Sequence, residues 1–207
     1  MTNIPTNPFG FKSAGFNRGG PPNTGGQIER PIVAAYSYNI CYGDVVQIGA
    51  GGGAPDTTTG YVRLGAAGVT GSEQLGIFVG CQYINAAGST VQSSYWPASN
   101  PNAGVAKIIP IAGQIPQFFI VAGGDATTST SFTIADVGYN CDFAVGTQSI
   151  VGGYGLSGMY LNRYTVAGTN TLPFRIEGLL TDISASGATG TTNMVLVSSN
   201  PFNATGY

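Results

Sequence analysis

The sequence contains no histidine, and only 8% of its 207 residues are charged. Without histidine, neither the Ser-His-Asp nor the Cys-His arrangement of nucleophilic enzymes can be built. An ordinary soluble domain has about 25% charged residues. A surface so poor in charge needs little desolvation when it packs against another protein. The composition therefore favours a protein that assembles with other subunits, and a secreted β-protein with a neutral polar coat is the alternative.

Nucleic acid and membrane are not indicated as partners. The net charge is −2, which gives no basic footprint for nucleic acid. No run of 18 apolar residues occurs, and the sequence starts with no pattern of charge followed by apolar residues. We therefore expect neither a nucleic-acid partner nor a membrane partner, and no transmembrane or signal segment.

The few metal-ligating and acidic residues do not form a recognisable site. Cys41, Cys81 and Cys141 are far apart in the sequence, with no CxxC motif, and each lies in a strand-like run. We expect them to be small buried residues. Among the nine carboxylates, Asp136 and Asp142 could serve a glycosidase only if they faced each other across a cleft. Calcium could use loop carboxylates, but no Asp-x-Asp spacing occurs. We expect no catalytic residue, cofactor or metal.

Short β-branched and aromatic runs separated by Gly, Asn, Ser and Thr dominate the chain, and amphipathic helical windows are nearly absent. This pattern predicts an all-β fold, an antiparallel β-sandwich or barrel of jelly-roll-like type. The residues Asn85–Ser89 are predicted to be a hairpin loop, and three low-complexity loops are predicted at Gly49–Gly60, Gly123–Thr130 and Gly187–Thr192. The predicted strands are Ile32–Tyr38, Asp44–Ile48, Tyr61–Leu64, Gly76–Ile84, Thr90–Trp96, Ala106–Ile111, Gln117–Ala122, Ser131–Ile134, Asn140–Ala144, Gly158–Tyr164, Leu172–Leu180 and Met194–Ser198.

Residues 1–31 are rich in Gly and Pro and show neither strand nor helix periodicity. They are predicted to form an extended N-terminal arm that precedes an all-β body at residues 32–207. Ordering such a segment costs roughly 1–2 kcal/mol per residue, so we expect a neighbouring subunit to hold it. Three aromatic rings, each able to contribute a few kcal/mol on burial, are the predicted anchors: Phe9, Phe11 and Phe16.

The charged residues of the arm also favour contact with a partner. Three basic residues stand against Glu29 in residues 1–31, so the arm is mildly basic, whereas the body is mildly acidic. The basic residues, which we also predict to contact a partner, are Lys12, Arg18 and Arg30. The alternative for the three phenylalanines is that they cover the edge of the protein's own core.

Several phrases along the chain carry a family resemblance. In order, they are Pro8-Phe9-Gly10-Phe11-Lys12, Gly43-Asp44-Val45-Val46, Leu75-Gly76-Ile77-Phe78-Val79-Gly80-Cys81, Tyr95-Trp96-Pro97, Asp136-Val137-Gly138-Tyr139-Asn140, Ser157-Gly158-Met159 and Pro173-Phe174-Arg175-Ile176-Glu177-Gly178-Leu179. Their order resembles that in the small capsid decoration (cement) proteins of tailed bacteriophages, over about residues 8–198. Many of those proteins have a basic phrase where this chain has Ser13-Ala14-Gly15-Phe16.

The resemblance implies an all-β structural protein on the outer surface of the virion. Such a protein binds the major capsid protein and its own copies, as dimers or trimers at local symmetry axes, and stabilises the head against internal DNA pressure. Loops rich in Thr, Gly and Asn, together with aromatic residues, leave one alternative. It is a phage head-fibre or tail-tip module that binds host-surface glycan. An enzyme of glycan cleavage is disfavoured because histidine is absent and the carboxylates are scattered.

Overall fold

In a computed structural model, the chain is almost entirely β-structure, which confirms the predicted all-β class. The structure describes residues 9–16, 26–49, 60–68, 74–111, 117–124, 131–180 and 192–200. Within these ranges the only helical element is a single 3₁₀ turn, Ile134–Asp136, and no α-helix occurs. No helix in the described part of the chain is long and apolar enough to cross a lipid bilayer.

The described residues form sixteen strands, most of them short. They are β1 (Lys12–Phe16), β2 (Ile28–Ile32), β3 (Ile40–Cys41), β4 (Val45–Ile48), β5 (Val62–Leu64), β6 (Gln74–Ile84), β7 (Thr90–Ser93), β8 (Tyr95–Trp96), β9 (Gly104–Pro110), β10 (Gln117–Gly124), β11 (Asn140–Ala144), β12 (Ser149–Val151), β13 (Tyr154–Leu156), β14 (Tyr160–Ala167), β15 (Phe174–Leu180) and β16 (Thr192–Ser199). The predicted hairpin is confirmed, since β6 and β7 pair on either side of residues 85–89.

The first six-stranded sheet closes on itself. Its order is β1-β10-β14-β11-β15-β16, and β16 also pairs with β10. Five strands therefore form a ring, in which only the β10–β14 pairing is parallel. The sixth strand, β1, lies beside the first half of β10, because β14 pairs with β10 only at Gly123 and Gly124. The ring encloses a core made largely of aromatic and β-branched side chains.

The second six-stranded sheet lies between two hydrophobic cores, and each of its faces lines one of them. Its order is β2-β9-β6-β4-β5, with β7 also paired to β6. Val45, Ile77 and Ile109 lie opposite one another on adjacent strands and point into the first core. Successive side chains of a strand alternate between faces. The neighbours of these residues along each strand accordingly line a second core: Val46, Phe78 and Ile108.

The predicted boundary between arm and body does not match the structure. β1 pairs antiparallel with β10, and β2 pairs antiparallel with β9, so both strands belong to the sheets. A boundary after residue 31 would cut β2 before its last residue, Ile32, which is fully buried. Each of these two strands is only five residues long, so its pattern does not stand out from the Gly/Pro-rich sequence around it. Residues 1–8 and 17–25 of the predicted arm lie outside the described residues.

Two further strand predictions are wrong. Of the predicted strand Ile32–Tyr38, only Ile32 is in a strand; residues 33–38 form turns and bends, and Ala35 has φ +57°, which strand residues rarely adopt. The segment 131–134 leads into the 3₁₀ turn, where the Asp136 carboxylate accepts the backbone N–H of Thr133 at 2.7 Å. This capping hydrogen bond favours a turn over an extended strand. Most residues of the three predicted low-complexity loops lie outside the described residues.

Candidate interaction surface

Phe11, one of the predicted partner anchors, lies inside the chain's own first core. Its ring is 1% exposed and stacks on Phe174, with 4.6 Å between centroids. Edge-on contacts to Phe119 and Phe143, at 6.4 and 6.5 Å, complete the cluster. A ring buried in this way cannot contact another subunit without leaving its core. The predicted role of Phe11 as a partner anchor is therefore corrected, and the alternative of a core position applies to it.

The other predicted anchors have different positions. Phe9 is half-buried, and the ammonium of the exposed Lys12 lies 4.5 Å from the centre of its ring. Arg30 is exposed on β2, in the other sheet, and its guanidinium donates to the carbonyl of Glu29. The side chain of Phe16 and the whole of Arg18 lie outside the described residues. A partner role for Phe9, Lys12 and Arg30 stays a prediction.

Two glycines let the N-terminal segment enter the body. Gly10 has φ +69° and Gly43 has φ +90°, conformations that favour glycine. The Phe11 N–H donates to the Gly43 carbonyl at 2.9 Å. A Cβ at Gly10 would lie 2.5 Å from the Gly43 carbonyl oxygen and would also overlap the Ser157 side chain. The close approach of these backbones aims Phe11 into the first core.

The Asp44 carboxylate is fully buried next to Gly43 and joins three parts of the chain. One of its oxygens, Oδ2, accepts the Cys41 N–H at 2.6 Å and the Gln148 Nε2–H at 2.7 Å. Burial raises the pKa of Asp44 to about 6, against the opposing effect of hydrogen bonds from Ser157, Cys41 and Gln148. Oδ1, its other oxygen, has no hydrogen-bond partner among the described residues. Asp44 thus connects separate parts of the chain, and its buried negative charge at neutral pH lowers the stability of the folded state.

The β12–β13 hairpin is held to the body at both ends. Gln148, which precedes β12, donates to the Asp44 carboxylate, and Ser157, which follows β13, donates its backbone N–H to the Tyr42 carbonyl at 3.1 Å. Gly155, in the middle of β13, packs against the side chains of Tyr95 and Cys41 so closely that a Cβ would not fit. The Tyr42 backbone bridges to Leu156. One face of the hairpin is therefore fixed to the body.

The opposite face of the hairpin is apolar and exposed. Val151, Tyr154 and Leu156 lie on this face and are 73%, 72% and 47% exposed, whereas Ile150 pairs with Gly155 and lies on the side that faces the body. Residues 143–162 include no Asp, Glu, Lys or Arg. Among the described residues, no strand pairs with the outer edge of β12. A fixed, uncharged, apolar hairpin with an open edge is suited to contact with another protein.

This surface is absent from the sequence-based prediction, although a signal for it exists. Gly152 and Gly153 stand between Ser149-Ile150-Val151 and Tyr154-Gly155-Leu156. Both glycines have positive φ, +60° and +83°, as a two-residue hairpin turn requires. A Gly-Gly pair between apolar triplets is a recognised hairpin pattern. Each strand is only three residues long, which is shorter than the runs from which strands were predicted.

The two candidate catalytic carboxylates have roles in holding the fold. Asp136 caps the 3₁₀ turn and forms an ion pair with Arg163 at 2.9 Å. Although burial acts to raise the pKa of Asp136, hydrogen bonds from Arg163 and Thr133 lower it. Asp142 accepts the Gly68 N–H at 2.5 Å and the Phe143 N–H at 2.8 Å, and burial raises its pKa. Each carboxylate is thus used to connect backbone segments.

The cysteines are buried thiols, as predicted. Cys41, Cys81 and Cys141 are all free and buried, and burial raises the pKa of Cys41 and of Cys81 to about 12. Thiols of this kind react slowly because the thiolate is the nucleophile. Trp96 is also fully buried, in the second core. Within the described ranges, no group of three or more Cys, Asp or Glu side chains is placed to hold a metal ion.

Comparison with known proteins adds no relative to these observations. No protein-family model matches the chain, and no curated protein and no solved structure is significantly similar to it.

Proposed function

We propose that the chain is a capsid decoration (cement) protein, a structural component on the outer surface of a phage head. In this role it binds the major capsid protein shell and further copies of itself, as a dimer or trimer at local symmetry axes, and stabilises the head against internal DNA pressure. The observation that carries the proposal is the exposed, uncharged face of the β12–β13 hairpin. The order of the sequence phrases and the very low charge support it.

The hairpin face has the physical properties that such a contact needs. Full burial of a large apolar side chain contributes about 1.5–3 kcal/mol, and three such side chains are exposed on this face of the hairpin. No charge has to be desolvated between residues 143 and 162. The body anchors the hairpin through Asp44, Gln148 and Ser157, so little ordering cost arises on binding.

The hairpin alone is smaller than a standard interface, which buries about 800 Å² on each partner. Other surfaces therefore contribute in this proposal, and Phe9 and Lys12 at the entry of the N-terminal segment are candidates. Repetition of one modest contact over many sites of a shell also provides avidity. The role of the N-terminal segment changes accordingly: residues 9–16 complete the body, and the main contact is placed on the hairpin.

A decoration assay tests the proposal. Expanded heads of the phage that encodes the chain, prepared without it, are titrated with the wild-type protein and with the double variant Val151→Ser/Tyr154→Ser. We expect the double variant to need at least about ten-fold more protein for half occupancy, which corresponds to about 1.4 kcal/mol. The matched control is Ile134→Ser/Tyr164→Ser, which removes two equally exposed apolar residues elsewhere, at 79% and 73% exposure.

Two results would contradict the proposal. If the hairpin variant decorates heads as well as the wild type does, the hairpin is not the contact. If neither the wild type nor any variant associates with heads, the chain is not a decoration protein. Far-ultraviolet circular dichroism of each variant shows whether the fold is retained, because the exposed positions contribute little to stability.

Exposed tyrosines favour a second candidate function, that of a glycan-binding module of a head fibre or tail tip. Within the described part of the chain, four tyrosine rings are exposed: Tyr38, Tyr139, Tyr154 and Tyr164. A tyrosine ring offers an apolar face and a polar hydroxyl to a ligand. A glycan array probed with the wild-type chain tests this function. Micromolar binding of one saccharide class, lost when single tyrosines are changed to alanine, would favour it over capsid decoration.

A further inference from the structure

Gln47 and Arg63 form a buried polar pair in the second sheet. They face each other across β4 and β5, and their relative exposures are 0% and 4%. Their neighbours Val46 and Val62 line the second core. Since side chains alternate along a strand, Gln47 and Arg63 point to the opposite face of the sheet. The pair is therefore enclosed by protein instead of lying at a solvated rim.

The positive charge of Arg63 has no counter-charge in the described part of the chain. The ion pairs found there use Arg163 with Asp136 and Arg175 with Glu177. A guanidinium keeps its proton at any pH that a folded protein tolerates, so burial cannot neutralise Arg63. A buried cation is stable only when an anion or strong acceptors compensate its lost hydration.

The two side chains also present donors without acceptors. Nε of Arg63 and Nε2 of Gln47 have no hydrogen-bond partner among the described residues. The Gln47 carbonyl oxygen accepts the Ala66 N–H at 3.1 Å, which fixes the amide so that its NH₂ group is the unpartnered end. Gly49 packs directly on the guanidinium, where a Cβ would lie 2.5 Å from Nε. Two buried donors on paired residues and one positive charge without a counter-charge among the described residues thus need the same thing, an acceptor with negative charge.

We propose that Gln47 and Arg63 bind a small monovalent inorganic anion, such as chloride, as a structural ligand. A halide accepts hydrogen bonds from both donors and cancels the charge of Arg63. A water molecule satisfies the donors but leaves the charge, and a phosphate or sulfate group is larger and needs more donors than these two side chains provide. The site is independent of the capsid proposal, because it concerns the stability of the body alone.

Anion-dependent melting tests the site. The melting temperature of the wild type is measured in sodium chloride, sodium bromide and sodium gluconate at equal ionic strength. We expect the halides to raise the melting temperature by at least about 3 °C over gluconate, since a ligand that binds only the folded state stabilises it. The exposed Arg30→Gln variant is the matched control for general salt effects and should keep the same rise.

The Gln47→Glu variant gives the sharper result. Its carboxylate retains an oxygen for the Ala66 N–H and places a negative charge opposite Arg63. We expect this variant to melt in gluconate at least as high as the wild type does in chloride, and to show no halide dependence. Crystals of the wild type grown in sodium bromide should show an anomalous peak within hydrogen-bond distance of Arg63 Nε and Gln47 Nε2.

Three outcomes would overturn the proposal. The first is equal melting of the wild type in halide and gluconate with no bromide peak, which means that water fills the position. The second is a halide dependence that persists unchanged in Gln47→Glu. The third is a halide dependence that is absent in the wild type and arises in Asp56→Asn or Glu73→Gln, which means that the chain's own carboxylate balances Arg63.

Discussion

Two short glycine-containing segments, residues 9–16 and 149–156, differ in where their apolar side chains lie. The first adds a sixth strand to the first sheet beside β10, and its Phe11 is fully buried. The second is a hairpin whose Val151 and Tyr154 point away from the body. The aromatic spacing of the first segment suggested an anchor for a partner, whereas the second shows no such spacing. Whether the apolar side chains of such a segment are buried thus depends on the strand with which the segment pairs.

The glycines of the two segments explain the difference. Gly10 needs a positive φ and also tolerates no side chain, because the Gly43 carbonyl and Ser157 lie against it. Gly153 needs a positive φ as well, but a Cβ there would meet nothing within 4 Å. One glycine serves close packing and the other serves a turn. Sequence alone does not distinguish these uses, since both require only that the residue be glycine.

The largest effect is expected from removing a buried ring of the first segment. Phe11→Ala should lower the free energy of unfolding by about 3–5 kcal/mol, because it leaves a cavity among Phe119, Phe143 and Phe174. Tyr154→Ala in the hairpin should change it by less than about 0.5 kcal/mol. Urea unfolding of the dilute chain measures both. Equal effects of the two substitutions would remove the distinction between a core segment and a surface segment.

The paired glycine substitutions give the next effect. Gly10→Ala should destabilise the fold by about 2–4 kcal/mol, which combines strain at positive φ with overpacking against Ser157. Gly153→Ala adds only the strain of positive φ and should cost about 1 kcal/mol. Thermal unfolding of the two variants gives the comparison. A Gly10→Ala variant as stable as Gly153→Ala would show that the N-terminal segment does not pass between Gly43 and Ser157.

Asp44 couples the two segments and predicts a pH dependence. Its folded-state pKa, about 6, is above the ordinary value of 3.8, so between pH 4 and 6 the folded state holds a proton that the unfolded state releases. Stability should therefore fall as pH rises through this window, by up to about 3 kcal/mol, and then level off. In Asp44→Asn the part of the fall that comes from Asp44 should be absent, and only the part that comes from Asp142, whose pKa is also raised by burial, should remain. Urea unfolding from pH 4 to 7 measures it, and identical pH profiles of wild type and variant would refute the assignment.

Much of the fold could be predicted from the sequence because it depends on local patterns. Alternating apolar runs bounded by Gly and Asn specify long strands such as β6 and β10 almost to the residue. The closure of the ring could not be predicted, since it depends on the pairing of β10 with β16, which are far apart in the chain. Strands of two to five residues, such as β1 and β12, have too little pattern to stand out.

The candidate surface was less predictable than the fold. The sequence indicates that the chain has little charge and that its cysteines are buried, because these properties follow from composition. It does not indicate that Phe11 is a core residue, since that depends on Gly43 accepting the backbone N–H of Phe11. Nor does it indicate that Gln47 and Arg63 form a buried polar pair, which arises from the register of two strands.

Amide hydrogen exchange of the dilute, isolated chain is the most direct test of the contrast between the two segments. The Phe11 N–H donates to the Gly43 carbonyl, and β1 is paired with β10. We predict that residues 11–16 exchange as slowly as β10 does, and that the outer edge of β12 exchanges faster. Exchange of residues 11–16 within seconds, while β10 and β16 stay protected, would show that the N-terminal segment is not part of the body and would contradict this structure-based assignment.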